Sequence, residues 1–132
     1  MATVGDILVI SARHLGVSPV SQSPTGADYL VLEAEYNGLM HELSANFDLL
    51  NTSGVAYTHA DQTTGDTFAL GDRFVTGLAA MVAERAAGQI GNGSLHKNVS
   101  ASAGRGYGLI CGAFQKAVVQ DQGMLRRNGF YT

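Results

Sequence analysis

The sequence predicts an all-α protein: a four-helix bundle with a long loop or small β-hairpin insertion between helices 2 and 3 and an extended C-terminal tail. Apolar residues recur at intervals of three and four in four stretches, which places them on one face of a helix. Clusters of Gly, Asn, Asp, Ser and Pro separate these stretches. We therefore expect one helical domain over residues 1–123, with the insertion at about 48–70, and a separate tail over 124–132.

The first helix is predicted over residues 4–15, where apolar residues form one stripe. Thr3 or Asp6 can cap its N-terminus, because a short polar side chain there accepts a hydrogen bond from an otherwise unpaired N–H group. Gly16 follows the stripe and is expected to end the helix, since glycine readily adopts the left-handed conformation common at that position.

The second helix, predicted over residues 29–47, shows the clearest periodicity and carries its glutamates on other faces. Thr25 or Asp28 can cap its start. Gly38 lies inside the helix, where it costs on the order of 1 kcal/mol relative to alanine. A glycine retained at that cost indicates a close crossing with another helix.

Residues 48–70 break the helical pattern because they are rich in turn-forming residues. The runs 55–58 and 66–70 have a strand-like composition, which predicts a small β-hairpin or an extended arm within a long loop. A loop of about 20 residues inside a compact domain is uncommon and is more often functional than filler. This segment is therefore a candidate interaction site.

The third and fourth helices, predicted at about 72–88 and 100–122, are rich in alanine and glycine. Such helices are thin, which predicts unusually close packing. The whole chain has 17 glycines in 132 residues and only 14% charged residues, against about 25% in ordinary domains. A small domain with so few charges is expected to have surface that partners cover.

Charge is unevenly distributed along the chain, whose net charge is −3. Residues 1–92 carry three basic and ten acidic residues, a balance of −7, whereas residues 93–132 carry five basic and one acidic, a balance of +4. This asymmetry favours contact with an acidic surface, or between the basic part of one copy and the acidic part of another. Five scattered basic residues are too few to indicate a nucleic-acid footprint.

Motifs for chemistry are scarce. The single cysteine, Cys111, excludes an intrachain disulfide and a cysteine zinc cluster, and the four histidines have no metal-binding spacing. The glycine-rich runs 88–93 and 104–108 match no phosphate-binding pattern. No signal peptide or membrane span is visible, so we expect a soluble intracellular protein without catalytic activity, metal or cofactor. Three alternatives stay open: another small oligomeric helical interaction protein without catalysis, a small helical regulatory or DNA-binding protein, and an enzyme whose histidine or carboxylate site assembles only in three dimensions.

Four short motifs, in order along nearly the whole chain, resemble the adaptor proteins of tailed-bacteriophage head-to-tail connectors, also called head-completion or packaged-DNA-stabilisation proteins. An N-terminal helix ends in a Leu-Gly-Val motif, a long second helix follows, and a polar loop leads into an alanine-rich third helix. The motifs are RHLGV at 13–17, LMHEL at 39–43, LGDRF at 70–74 and LAAMVAER at 78–85. The aromatic residue that commonly closes the second helix in this family is here at most Phe47.

The resemblance implies a structural virion protein at the neck, where copies form a ring, commonly twelve-fold, beneath the portal protein. Packaged DNA would pass through the ring without sequence-specific binding, and a further tail or nozzle protein would attach to the other end. The tail would dock on the portal through Leu125, Arg126, Arg127, Phe130 and Tyr131. The loop would contact a neighbouring subunit or tail component through Tyr57, His59, Asp61, Asp66 and Phe68.

Overall fold

The computed structural model describes residues 1–16, 26–90 and 97–115, and these ranges are mostly helical, which confirms the all-α class. A 3₁₀ turn, Asp72–Phe74, leads into the third helix, and the described ranges contain two isolated antiparallel bridges but no regular strand. None of the helices in these ranges has the length and apolar character needed to cross a bilayer. The helices are α1 (Val4–His14), α2 (Gly26–Asn46), α3 (Val75–Ala86) and α4 (Lys97–Ala113).

Helix α3 is the centre of the fold. Residues 78–83 are all buried, and α1, α2 and α4 each pack against this helix. Most of its buried side chains are alanines, so neighbouring helices can approach closely from several sides. Helices α3 and α4 meet at Gly77 and Gly106, where a Cβ atom on Gly106 would lie only 2.5 Å from the Cα atom of Gly77. The predicted close packing of these two thin helices is confirmed.

Gly38 has a different neighbour from the one its sequence position suggests. A Cβ atom there would lie 3.0 Å from Nη2 of Arg85, the flexible end of a side chain on α3. The prediction of a close helix–helix crossing at Gly38 is therefore wrong, because the space beside this glycine is taken by a guanidinium group. Arg85 in turn contacts Glu35 and Glu42 on α2 at 3.2 and 2.8 Å.

The free N–H groups at the N-terminus of α1 are hydrogen-bonded both by neighbouring residues and by the distant loop. Thr3 and Asp6 form a reciprocal capping box, which confirms the predicted caps. The backbone N–H groups of Val4 and Gly5 donate to the carbonyl oxygens of Asp66 and Thr64 at 2.8 and 2.9 Å. The free donors of the first helical turn are thus all paired. At the other end, Gly16 has a φ of 73°, as its predicted role in ending the helix requires.

The bounds of the other helices differ from their predicted bounds. Helix α2 starts three residues before the predicted position, and Asp28 lies in its first turn; Thr25 falls outside the described residues. The fourth helix starts at Lys97 and ends at Ala113, so the prediction that it continues to about 122 is wrong. Phe114 is buried there, with its ring centroid 5.1 Å from that of Phe74, and its carbonyl accepts a hydrogen bond from the N–H of Asp48. These tertiary contacts replace a further helical turn.

The segment between α2 and the 3₁₀ turn is packed against the core. A bridge between Leu50 and Ala56 closes a turn in which the Asn51 side chain accepts hydrogen bonds from two backbone N–H groups. The strand-like composition here therefore produces a bridged turn, and the predicted β-hairpin is not confirmed. Leu49, Phe68 and Leu70 are buried, so this loop contributes to the folded domain rather than projecting from it as an arm.

Candidate functional site

A polar network joins the loop to α2, and Asn37 is at its centre. The Oδ1 atom of Asn37 accepts a hydrogen bond from the backbone N–H of Gln62 at 2.9 Å and lies 2.8 Å from Nε2 of His59. Its Nδ2 atom donates to the carbonyl oxygen of Gln62 at 3.0 Å. One amide side chain on the helix therefore binds the loop at two separate residues.

His59 is 5% exposed and is held on three sides. Its backbone N–H donates to Oγ of Ser44 at 2.9 Å, and its Nδ1 atom lies 2.8 Å from the Tyr57 hydroxyl. Because Oδ1 of Asn37 is an acceptor, Nε2 of His59 must carry a proton. Burial, followed by the nearby His41, lowers the pKa of His59, although Asp61 opposes this shift. The ring is therefore neutral near pH 7, with its lone pair on Nδ1 facing Tyr57.

Two tyrosines complete the network. The Tyr36 hydroxyl donates to Oε1 of Gln62 at 2.7 Å, and Nε2 of Gln62 donates onward to the Thr67 carbonyl at 3.1 Å. Burial is the main cause that raises the pKa of Tyr36, with contributions from Tyr57 and Asp66. Burial and Asp66 also raise the pKa of Tyr57. Both phenols therefore remain protonated hydrogen-bond donors at neutral pH.

His41 and Asp61 form the solvent-facing edge of the network. Nε2 of His41 lies 2.7 Å from Oδ1 of Asp61, and both side chains are at least half exposed. The His41 ring also packs edge-on against His59, with 4.8 Å between ring centroids. One potential ligand atom from each of these three residues lies within 4.8 Å of the others.

Sequence reasoning left open a histidine site assembled in three dimensions, but it missed Asn37, Ser44 and Gln62. A signal was present, because Asn37, His41 and Ser44 recur at intervals of four and three and form one polar stripe along α2. The stripe alone does not identify its partner. That required the path of a loop whose course depends on tertiary contacts.

The loop residues predicted to contact a partner have different environments. Phe68 and His59 are buried inside this chain, where both rings pack against Tyr36. Tyr57 is partly buried, whereas Asp61 and Asp66 are exposed. Of these five predicted loop residues, only the two aspartates and the edge of Tyr57 are therefore accessible to a partner. The predicted tail residues, Leu125, Arg126, Arg127, Phe130 and Tyr131, lie outside the described residues.

A second surface of interest is the outer face of α4. Gly104, Gly108 and Gly112 are exposed one turn apart, and a Cβ atom at any of them would meet nothing within 4 Å. Beside them Tyr107 and Leu109 are 47% and 44% exposed. This face, which we call the α4 face, therefore exposes small and apolar residues, with the exposed Arg105 one turn before Leu109.

The outer face of α2 also has exposed apolar residues. Leu30 is 71% exposed and lies between the exposed Ala27 and Ala34, one turn to either side. We call these three residues the α2 face. The α2 sequence contains four carboxylates and no lysine or arginine, whereas the α4 sequence contains Lys97 and Arg105 and no carboxylate.

Stability is expected to fall as the pH is lowered from about 7.5 to about 5.5. Burial lowers the pKa of both His14 and His59 from 6.5, and Nε2 of His14 has no hydrogen-bond partner. Below about pH 6.5 the unfolded chain therefore binds protons that the folded chain excludes. Urea titrations at several pH values in this range measure how steeply the free energy of unfolding changes with pH. His14→Gln should make that change smaller. Constant or rising stability on acidification would contradict the expectation.

Comparisons of the chain with protein-family models, with curated protein sequences and with solved structures found no match in any of the three.

Proposed function

We propose that this chain is a non-catalytic structural subunit that assembles into a ring at the neck of a tailed phage, beneath the portal. In this proposal the four helices of the chain form one bundle, and the loop at 48–70 lies beside a neighbouring subunit or tail component. The observation that carries it is the pair of exposed, weakly polar faces on α2 and α4. The proposal is also supported by the order of the sequence motifs, which resembles that of connector adaptors.

A ring requires contact between two different surfaces of each copy. The α4 face of one subunit is the partner proposed for the α2 face of the next. Small residues on both helices allow close approach, while Leu30 and Leu109 supply apolar area to bury. Arg105 on α4 and Glu33 on α2 supply charges of opposite sign at the edges of this contact.

The two ends of the ring would bind different partners. The basic segment 124–132 is the proposed portal-docking tail, since Arg126 and Arg127 can pair with carboxylates while Phe130 and Tyr131 fill apolar pockets. The exposed Asp61 and the loop around it would approach a neighbouring subunit or the next tail or nozzle protein. Packaged DNA would cross the lumen without sequence-specific contacts, because few basic residues are present to hold phosphate.

Leu109→Glu is expected to weaken self-assembly at least tenfold, because it places a carboxylate beside the glycine row of α4, within the proposed contact. Light scattering over a concentration series, with electron microscopy of the particles, measures assembly. Val55→Glu is the matched control, since Val55 is 60% exposed but belongs to neither face. Assembly of Leu109→Glu with wild-type affinity would contradict this interface.

Deletion of 124–132 tests the portal end in the same preparation. The shortened chain is expected to form the same rings but to lose co-sedimentation with portal particles. A wild-type chain that stays monomeric at high concentration and also fails to bind portal particles would contradict the connector function itself. Unchanged portal binding by the shortened chain would contradict only the docking role of this segment.

A further inference from the structure

The cluster of His41, His59 and Asp61 has the composition of a metal site. Two imidazoles and one carboxylate form a common ligand set for zinc in sites that keep a fourth position for water. The three residues come from two parts of the chain, with His41 on α2 and the others on the loop. A bound cation would therefore connect these two elements.

His59 already has the outer contacts that orient a ligating histidine. Such a ring usually donates its second N–H to an oxygen atom, which fixes the tautomer and leaves the other nitrogen free to bind metal. Here Nε2 donates to Oδ1 of Asn37, and Asn37 is itself held by both backbone groups of Gln62. The lone pair on Nδ1 faces the Tyr57 hydroxyl oxygen at 2.8 Å, so the Tyr57 side chain would move aside when Nδ1 binds a metal.

We propose that His41, His59 and Asp61 bind a divalent transition-metal ion of the zinc class, with a fourth position open to solvent. In tetrahedral coordination the ligand atoms would be about 3.3 Å apart. Nε2 of His41 and Oδ1 of Asp61, now 2.7 Å apart, would separate slightly, and the His59 nitrogen would approach them. The exposed side chains of His41 and Asp61 are able to make this adjustment.

The bound ion would lie between His41 and Asp61 in place of their direct contact, and it would hold the loop on α2. This site is independent of the proposed ring, because its ligands lie within one chain. The proposed site gives His41 and Asp61, at the exposed edge of the polar network, a function in binding an ion in addition to their contact with each other. It also predicts that zinc stabilises the folded protein, since an ion that binds only the folded chain shifts the folding equilibrium.

The test is titration of the full, untagged chain with Co²⁺, whose visible absorption reports coordination geometry, followed by displacement with Zn²⁺. One tetrahedral Co²⁺ per chain, displaced by Zn²⁺, is expected. His41→Ala should weaken binding at least tenfold, and Asp61→Asn should weaken it similarly. Because His41 is exposed, the His41→Ala variant is expected to remain folded, and circular dichroism verifies this.

His96→Ala is the control for histidines in general and is expected to bind like the wild type. Thermal unfolding with and without Zn²⁺ gives a second measurement: the melting temperature should rise with zinc in the wild type and in His96→Ala, but not in His41→Ala. The proposal is overturned if the wild type fails to bind either ion at about 100 µM. It is also overturned if folded His41→Ala binds with unchanged affinity, or if His96→Ala abolishes binding.

Discussion

Gly106→Ala is expected to lower the free energy of unfolding by about 2–3 kcal/mol. A Cβ atom at this position would lie 2.5 Å from the Cα atom of Gly77 and within 3.0 Å of two further backbone atoms of that residue. Backbone atoms at a helix crossing cannot rotate aside, so α3 and α4 would have to separate. Because α3 also packs on α1 and α2, that separation disturbs contacts throughout the core.

Gly104→Ala, two residues earlier on the same helix, is the matched control. A Cβ atom there meets nothing within 4 Å, so the substitution should stabilise α4 by roughly 0.5–1 kcal/mol through helix propensity alone. Urea unfolding followed by circular dichroism measures both variants at low protein concentration. If the two substitutions changed stability in the same direction, the close crossing would not be the reason for glycine at position 106.

Asn37→Ala is expected to cost about 3 kcal/mol, since it removes three hydrogen bonds worth about 1 kcal/mol each. The N–H and carbonyl groups of Gln62 and Nε2 of His59 would lose their partner in a partly buried region. The effect should be greatest in the loop, whose attachment to α2 depends on these bonds. Proteolysis within residues 57–67 is therefore expected to accelerate in the variant.

Asn46→Ala, at the exposed C-terminal end of α2, provides the comparison for Asn37. It should leave stability within about 0.5 kcal/mol of the wild type. Hydrogen exchange at the Gln62 amide distinguishes loss of the network from general destabilisation. If protection at Gln62 were retained in Asn37→Ala, the side chain would not be what holds the loop.

Those parts of the fold that depend on neighbouring residues were predictable from sequence. The capping box at Thr3 and the helix end at Gly16 need only a few adjacent residues, so local patterns predict them. The close contact of α3 and α4 follows from composition, because helices of small residues pack closely. The end of α4 was not predictable in this way, since the contact of Phe114 with Phe74 depends on tertiary structure.

The candidate metal site depends still more on distant residues. Each of its histidines has an unremarkable local sequence, and no spacing rule relates a residue on α2 to one 18 positions later in an irregular loop. For the α2 and α4 faces, the sequence predicted only that some surface of the domain carries few charges and is covered by partners, not where that surface lies. The structure shows which helices carry exposed apolar residues, and thereby gives the proposed interface particular residues to mutate.

The hydrogen bonds between the N-terminus of α1 and residues far along the chain affect the order in which the protein folds. The Ala2 N–H donates to the carboxylate of Asp72, which lies 70 positions later in the 3₁₀ turn. The first N–H groups of α1 donate to the carbonyl oxygens of Thr64 and Asp66 in the loop before that turn. Contacts between such distant positions form slowly, because a long loop must first close. During synthesis α1 emerges before residues 64–72, and its first turn is complete only when those residues are in place. We therefore expect α1, although it is made before the rest of the described domain, to be among the last of its helices to reach its native position.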